Sequence, residues 1–549
     1  MRRSKAVPLA LVVLVALSAA GTIAACGGSD SASAPVTIAD GHVSRLVIGL
    51  PRDAGPLNIY TSDSRFDFLV ELVYDKLFAP SPYVDSPVPW LAESATQVDP
   101  ATWDVVLRRG VSWHDGAPFT AADVKFTFEY FRDGPANRYT HHVSDVPRIE
   151  SIETVGDSEV RLRCASPCPF LREVTLADIP ILPRHIWEGV TAPRNVTALP
   201  VGTGPYKLVD YSAGQRYRFE ANKDYFMGAP LVDELVLPVI PDQSVMFLAL
   251  RTGEIDASAR PLPPELLHQF ENSPGMKVAE THALSIVEVR INYEREPFNI
   301  PSVRLALAMS IDRQALVDTI LLGQGRPAAR GYPHPDSPWT NPALSVPFDR
   351  ARARALLDAA GLLDRDGDGT RELPDGRRLA FTLKVSATEP AQLRAAELLA
   401  RQFGTIGAAV TIESADPTTI TKLFSSRDFD LYVTEIGPHG AADPDQFVVS
   451  QRSGYLWKKG LAYPEMDALV QEYLAASAKE ARRAALFRMQ TLFNEQPTSV
   501  ALYYPDERWA FRASAFNGWV ESPGYGIVHK WSFLPARATE GTMAGTGRP

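Results

Sequence analysis

The stretch from Thr102 to Gly134, TWDVVLRRGVSWHDGAPFTAADVKFTFEYFRDG, limits the choice of fold most, because a strand pattern passes into a helix pattern across one turn. Trp103, Val105 and Leu107 alternate with Asp104, Val106 and Arg108, the period of a strand with one apolar face. Asp115-Gly116 is a turn signal: glycine accepts positive φ and aspartate bonds its own backbone. Thr120 and Asp123 have the spacing of a capping box. Val124, Phe128 and Phe131 then fall on one helical face, and Gly134 can end the helix. His114 and Asp115 therefore occupy the connection between a strand and a capped helix. His114 beside Asp115 could also be an acid–base pair, but that chemistry needs an oriented third group and a nucleophile. The chain has no Gly-x-Ser-x-Gly elbow and no His-Glu-x-x-His, so a turn is expected.

The amino-terminal residues fix the compartment. Arg2, Arg3 and Lys5 precede an apolar run from Ala6 to Ala20, too short to span a bilayer, and small residues lead to Cys26. This is the pattern of an export signal over 1–25. Ile23-Ala24-Ala25-Cys26 followed by Gly27-Gly28 resembles a bacterial lipobox, which implies a lipidated Cys26 and an extracytoplasmic protein anchored to the cell membrane. Gly27 to Pro35 is Gly/Ser-rich and reads as part of a flexible tether over 26–42.

The chain carries 55 Lys and Arg against 65 Asp and Glu; without the three basic residues of the leader its formal charge falls from -10 to -13. Nucleic acid and anionic lipid reward clustered basic residues, so neither is expected as the main partner. A monomer binding a small ligand is expected, with no cofactor required. Apart from Cys26 the cysteines are Cys164 and Cys168. In an oxidising compartment they suit a local disulfide; a redox-active pair is the alternative, but it would have Cys-x-x-Cys spacing in a thioredoxin-like context.

The order Trp103, Leu107-Arg108-Arg109-Gly110-Val111, Trp113, Asp115-Gly116, Pro118, Thr120-Ala121 and Asp123-Val124 resembles the signature of the family 5 extracellular solute-binding proteins. These are the oligopeptide, dipeptide and nickel receptors of ABC importers. Further blocks follow in the family's order: Gly202-Thr203-Gly204-Pro205-Tyr206; Asn222, Tyr225 and Gly228-Ala229-Pro230; Leu250 and Gly253-Glu254-Ile255-Asp256; Asn292, Pro297-Phe298, Val303 to Ala308 and Ile311-Asp312-Arg313; Tyr463 to Asp467; and Leu502-Tyr503-Tyr504. Each block also has a plain structural reading. Val303, Leu307, Ile311 and Leu316 follow one helical stripe, and Ala353, Leu356, Leu357 and Ala360 another, closed by Gly361.

The resemblance implies a two-lobed periplasmic-binding-protein-like α/β fold with a hinge and an additional inserted domain. Carried over, lobe one combines 43–80, 196–283 and 501–534, the inserted domain is 81–195, lobe two is 284–500, and 535–549 is a tail. It implies a receptor that closes over a small solute or peptide and delivers it to ABC permease and ATPase subunits, with no covalent step. Asp443 matches the family's ammonium-binding loop; as Asp-Pro it is equally a helix entry. Glu435 precedes the same loop, in Glu435-Ile436-Gly437, where many relatives carry Gly-Trp. Ser386 and Thr388 stand at the tip of a strand that could face the cleft, and His439 reads as a loop residue. The alternatives are an extracytoplasmic sensor without transport, or a lipid-anchored hydrolase using acids such as Glu435 and Asp443.

One further pattern is independent of the family. Asp364, Asp366 and Asp368 stand at positions one, three and five of a loop, Gly369 at six, Thr370 at seven and Asp375 at twelve. This fits the oxygen-rich coordination of a structural calcium ion, although position twelve usually holds Glu. The alternative is a solvated acidic hairpin turning at Asp375-Gly376.

Overall fold

The computed structural model describes residues 41–535, except 63–66, 84–85, 135–142, 144–146, 283, 329–332, 438–443, 455–462 and 523. The leader, Cys26, His439 and Asp443 therefore lie outside the described residues. Nine strands position the site: β1 (Val43–Gly49), β2 (Val232–Pro238), β3 (Ala257–Ser258), β4 (Met276–His282), β5 (Ile286–Ile291), β6 (Ala380–Ser386), β7 (Ala409–Ala415), β8 (Leu431–Ile436) and β9 (Ser499–Arg512). Their order across the sheet is β7-β6-β8-β5-β9-β3-β1-β2, extended by two antiparallel strands, Arg216–Ala221 and Tyr206–Ser212. β4 also pairs with β9.

β9 organises the molecule. Its first half pairs antiparallel with β5, from Arg290 opposite Ser499 to Val287 opposite Tyr503. Its second half pairs with β4, from His282 opposite Asp506 to Met276 opposite Arg512. Val500 and Leu502 enter a core with Val289, Leu383 and Leu431, while Phe511 enters another with Leu46, Ile48 and Leu235. The two halves of β9 thus serve different cores, and the strand passes from one to the other. β4 and β5, separated by residues 283–285, make the same passage in the opposite direction.

The Thr102–Gly134 stretch forms a strand, Thr102–Leu107, and a helix, Ala121–Asp133. The Asp123 carboxylate accepts from the Thr120 N–H at 2.9 Å, capping the free end of the helix. The strand lies in an antiparallel four-stranded sheet with Ala92–Asp99, Glu159–Cys164 and Ile149–Thr154. Trp103, Val105, Phe128 and Phe131 share one apolar cluster with Leu46 and Ile48 of β1, so this segment has no separate core. Cys164 and Cys168 are disulfide-bonded, with Cα atoms 6.4 Å apart, and the Cys168 carbonyl accepts from the Trp103 indole at 3.0 Å.

The stripe through Val303, Leu307, Ile311 and Leu316 is two helices, Pro301–Ser310 and Arg313–Ile320, and not one. Asp312 causes the break: its carboxylate accepts from the Ala315 N–H at 3.0 Å and starts a new helix. The second stripe forms one helix, Arg350–Ala359, followed by Gly361 at φ +78.

The turn residues His114 and Asp115 have structural partners. His114 Nδ1 accepts from the Gly202 N–H at 3.3 Å, and its Nε2 lies 2.9 Å from the Gly204 carbonyl. That pairing requires the neutral Nε2–H tautomer, and burial pushes His114 down to about 4. A Cβ on Gly202 would lie 1.8 Å from the Val73 carbonyl oxygen, so the segment held by His114 must be glycine there. Asp115 makes an exposed contact with His185 at 2.8 Å.

Beneath this clamp lies a closed polar knot. Asp75, wholly buried, accepts from Trp90 Nε1 at 2.7 Å, Tyr225 Oη at 3.1 Å and Thr203 Oγ1 at 3.1 Å. Lys530, equally buried, lies 3.3 Å from Asp75 and 4.4 Å from the centre of the Trp90 ring. Burying such charges costs several kcal/mol unless they are paired and hydrogen-bonded. Here both conditions hold, and the carboxy-terminal segment is tied to the residues around β1.

Candidate functional site

β1 runs parallel to both β2 and β3, and β6 runs parallel to both β7 and β8. In open parallel sheets, the carboxyl end of a strand flanked on both sides by parallel neighbours is where loops diverge and a crevice forms. The molecule has two such ends, at Gly49-Leu50 and at Ser386. They are set against one another: Arg260, two residues beyond β3, lies 3.9 Å from Glu389, three residues beyond β6.

The loop after β1 is fixed before any ligand arrives. The Asp53 carboxylate accepts from Tyr211, Tyr217 and the N–H groups of Gly55 and Gly214. Although burial opposes ionisation, these hydrogen bonds hold Asp53 below its ordinary value. Asn58 donates to the carbonyls of Pro193 and Val196 at 2.7 and 3.0 Å. Between them Leu57, fully buried, has φ +55, a conformation a branched side chain adopts only under constraint from its surroundings.

On the opposing edge, Glu435 near the end of β8 and Tyr503 of β9 both lie in register with Val287 of β5. Tyr503 is buried and its hydroxyl has no hydrogen-bond partner among the described residues. Burial, then the charge of Glu435, raise its pKa. Glu507, farther along β9 and opposite Thr281, is partly buried. Burial and the Glu435 carboxylate push it up to about 8. An acid whose ionisation is opposed by a neighbouring carboxylate favours a cation beside it. Arg394, in the helix Pro390–Gly404, is close enough to offset part of the rise at Tyr503.

The structure brings Glu435 to this edge. Thr388 is exposed on the loop after β6, its Oγ1 3.1 Å from Ser386 Oγ, and no described contact joins it to Glu435. Asp443 lies outside the described residues, and the helix Pro444–Gln451 begins immediately after it. The sequence reading missed Glu507 and Arg260. The signal for Glu507 was present: in LYYPDERWAF the charged trio Asp506-Glu507-Arg508 interrupts a run whose length and apolarity otherwise mark a core strand.

Asp364, Asp366 and Asp368 are gathered with Glu372, one ligand atom from each lying within 4.8 Å of the others. Asp375 is not among them: its carboxylate is taken up by the Arg377 N–H at 3.0 Å and Arg377 Nε at 2.6 Å, at the Asp375-Gly376 turn. Thr370 Oγ1 accepts from Arg378 at 2.7 Å. The acid of this group that the motif did not supply is Glu372, at position nine.

Mixed α/β layers, with parallel strand ends facing one another across two crossing strand segments, define a solute binder of the periplasmic-binding-protein type. The chain belongs to the bacterial extracellular solute-binding proteins of family 5: the pattern described as "family 5 Middle" matches residues 86–458. Members of that family bind solutes and are not enzymes. The chain is 28% identical over 534 residues to the oligopeptide-binding protein AppA of Bacillus subtilis (strain 168), covering 93% of this chain and 95% of that protein. It is 31% identical over 439 residues to Protein XP55 of Streptomyces lividans, covering 78% and 77%. The structure of Bacillus subtilis AppA in complex with a nonapeptide superposes with a TM-score of 0.78 at 25% identity, covering 90% of this chain and 99% of that one.

Proposed function

We propose that this chain is the substrate-binding component of an ABC importer. It captures a peptide between two lobes, closes over it and hands it to a permease served by an ATPase. In this reading lobe one is 43–80 with 196–283 and 501–534, 81–195 is an insertion that shares its core, and lobe two is 284–500. The hinge is the pair of passages at 283–285 and within β9. The protein is held outside the cytoplasm by lipid on Cys26. Peptide as the ligand class is supported by similarity over nearly the full length to an oligopeptide-binding protein.

The observation that carries the ligand chemistry is the Glu435–Glu507 pair. Glu507, raised to about 8, keeps its proton at neutral pH while the site is open to water. A ligand ammonium seated between the acids favours the charged form of Glu507, and the proton leaves. Asp443, on the loop beyond β8, is assigned to the same group of acids, and Thr388 to the polar rim.

Ligand released by denaturing the purified protein is identified by mass spectrometry, and its binding is then measured at pH 6.5 in two buffers of different ionisation enthalpy. An amine-bearing ligand whose binding releases close to one proton supports the reading. A neutral or anionic ligand bound without proton release removes the acid pair from recognition. Cys26→Ser should shift the protein from the membrane fraction to the soluble fraction.

A further inference from the structure

The loop between the helix Arg350–Ala359 and β6 contains charged groups that solute binding does not use. Asp364, Asp366 and Asp368 are exposed, and alone they would be a solvated acidic turn. Glu372 is different. Its side chain is 9% exposed, and its Oε2 accepts from the Arg365 N–H at 2.8 Å, but its Oε1 is buried and has no hydrogen-bond partner among the described residues. A buried carboxylate oxygen left bare is unfavourable unless a cation or donor meets it. The acids clustered with it are the three aspartates.

We propose that Asp364, Asp366, Asp368 and Glu372 bind one calcium ion. The donors are all oxygens and carry four negative charges, which selects a hard divalent cation over a soft metal. Gly369, at position six, has φ +89, the sharp bend such loops need. Thr370 is at position seven, where loops of this pattern contribute a main-chain carbonyl.

The nearby cations do not satisfy the group. Arg378 donates to Asp368 Oδ2 at 2.5 Å and to Thr370 Oγ1 at 2.7 Å, and so offsets one acid. Arg365 spends its guanidinium on the carbonyls of Gly361, Glu372 and Leu373, with Nη1 4.0 Å from Glu372 Oε2. Oε1 is left for the ion. A flexible loop with several carboxylates suits calcium, with its six to eight oxygen ligands, better than magnesium, which demands a tight octahedron and keeps its water.

The site lies before the amino end of β6, whereas the solute edge lies at its carboxyl end, roughly 20 Å away at the rise of a strand. The ion therefore acts as a staple. It fixes the 364–372 loop, in which Arg371 donates to the Ile406 carbonyl at 2.8 Å and to Asp358 at 2.5 Å, against the core of lobe two. Its success or failure is independent of which solute is bound.

The test uses the full chain after treatment with chelator and dialysis. Calcium chloride is titrated by calorimetry, and melting is followed with and without calcium. We expect a single saturable site with a dissociation constant in the range of about 0.1 to 1 mM known for extracellular modules, and a higher melting temperature in calcium. An equal concentration of magnesium should not reproduce the rise. Asp366→Asn changes an exposed side chain and should fold normally while weakening calcium at least about tenfold, as the loss of one charged ligand implies. Glu372→Gln should weaken it further. Absence of heat and of a melting shift up to about 10 mM calcium, ten times the weak end of that range, overturns the proposal. So does a calcium response in Asp366→Asn and Glu372→Gln equal to that of the parent chain. In either case the loop is only an acidic hairpin.

Discussion

Asp75 and Glu507 are acids drawn out of bulk water in the same molecule, and their surroundings treat them in opposite ways. Around Asp75, a tryptophan, a tyrosine, a threonine and a lysine supply donors and a full countercharge, and nothing polar is left over. Around Glu507, the charge that acts on it is another acid, set against one hydrogen bond to Trp509. The first arrangement is complete and can only hold the fold together. In the second a like charge opposes ionisation, and in the proposed reading a bound cation relieves it. The charge set beside a buried acid therefore separates the two roles better than burial does.

The most severe way to test this contrast is to open the closed knot. Lys530→Met removes the countercharge and leaves Asp75 buried beside three neutral donors. Loss of about 3–5 kcal/mol is expected, the cost of breaking a buried pair from one side. It would be read as a fall in denaturant midpoint, with ligand affinity unchanged in whatever fraction stays folded. A stable Lys530→Met protein with impaired binding would mean the roles of the two regions had been exchanged.

Glu507→Gln should do the reverse. The fold keeps its volume, while affinity for an amine ligand falls by about tenfold to a hundredfold, the equivalent of one charge-assisted bond. Stability gives an independent reading. The folded value of Glu507, near 8, lies above its ordinary value near 4.5, so its contribution is fully present below pH 4.5 and is lost as pH rises through 8. Glu507→Gln should flatten the decline of stability between those limits, seen by chemical denaturation at several pH values.

How much of this contrast was legible in the sequence depended on whether the residues concerned follow local rules. The strand–turn–helix of Thr102–Gly134, its cap and the turn at His114-Asp115 could be read because each is decided within a few residues, whereas the partners of His114, Gly202 and Gly204, lie 88 and 90 residues away. The blocks containing Thr203, Tyr225 and the Gly202–Gly204 segment were legible as a family pattern, but their purpose was not. Thr203 and Tyr225 meet Asp75 from 128 and 150 residues away. The break at Asp312 was missed because apolar periodicity continues across it, while the capping carboxylate acts on the backbone alone. Glu507 and Glu372 were missed for a common reason. Glu507 matters through the acid set beside it and Glu372 through an oxygen with no described partner, and both are properties of three-dimensional packing that no spacing encodes.

His114 gives a third, smaller test on the closed side of the comparison. Its folded value near 4 lies below the ordinary 6.5, as does that of His529, which is also lowered to about 4 by burial. Both are neutral in the fold and take up protons when the chain unfolds. Stability should therefore fall as pH drops from 6.5 toward 4. His114→Gln should cost about 1–2 kcal/mol at pH 7 through the two hydrogen bonds to Gly202 and Gly204, and should make the acid side of the profile shallower. A profile unchanged by the substitution would assign the acid sensitivity to His529 alone.

The smallest expected effect concerns Arg260 and Glu389, whose contact at 3.9 Å spans the two strand ends. The pair is partly exposed, with side chains 19% and 40% accessible, so its energy is that of a screened surface bridge, at most about 1 kcal/mol. It forms only when the two edges face one another. If the lobes open without ligand, the whole of that energy favours the closed form, and Glu389→Gln lowers affinity by no more than about fivefold, which is 1 kcal/mol at room temperature. Two controls separate this role from direct contact. The loss should shrink in high salt, which already screens the bridge in the parent chain, and Arg260→Gln should produce the same loss, with no further loss in the double variant. A Glu389→Gln effect of a hundredfold, insensitive to salt and additive with Arg260→Gln, would instead make Glu389 a third acid of the ligand site and extend the acidic region from β9 to the loop after β6.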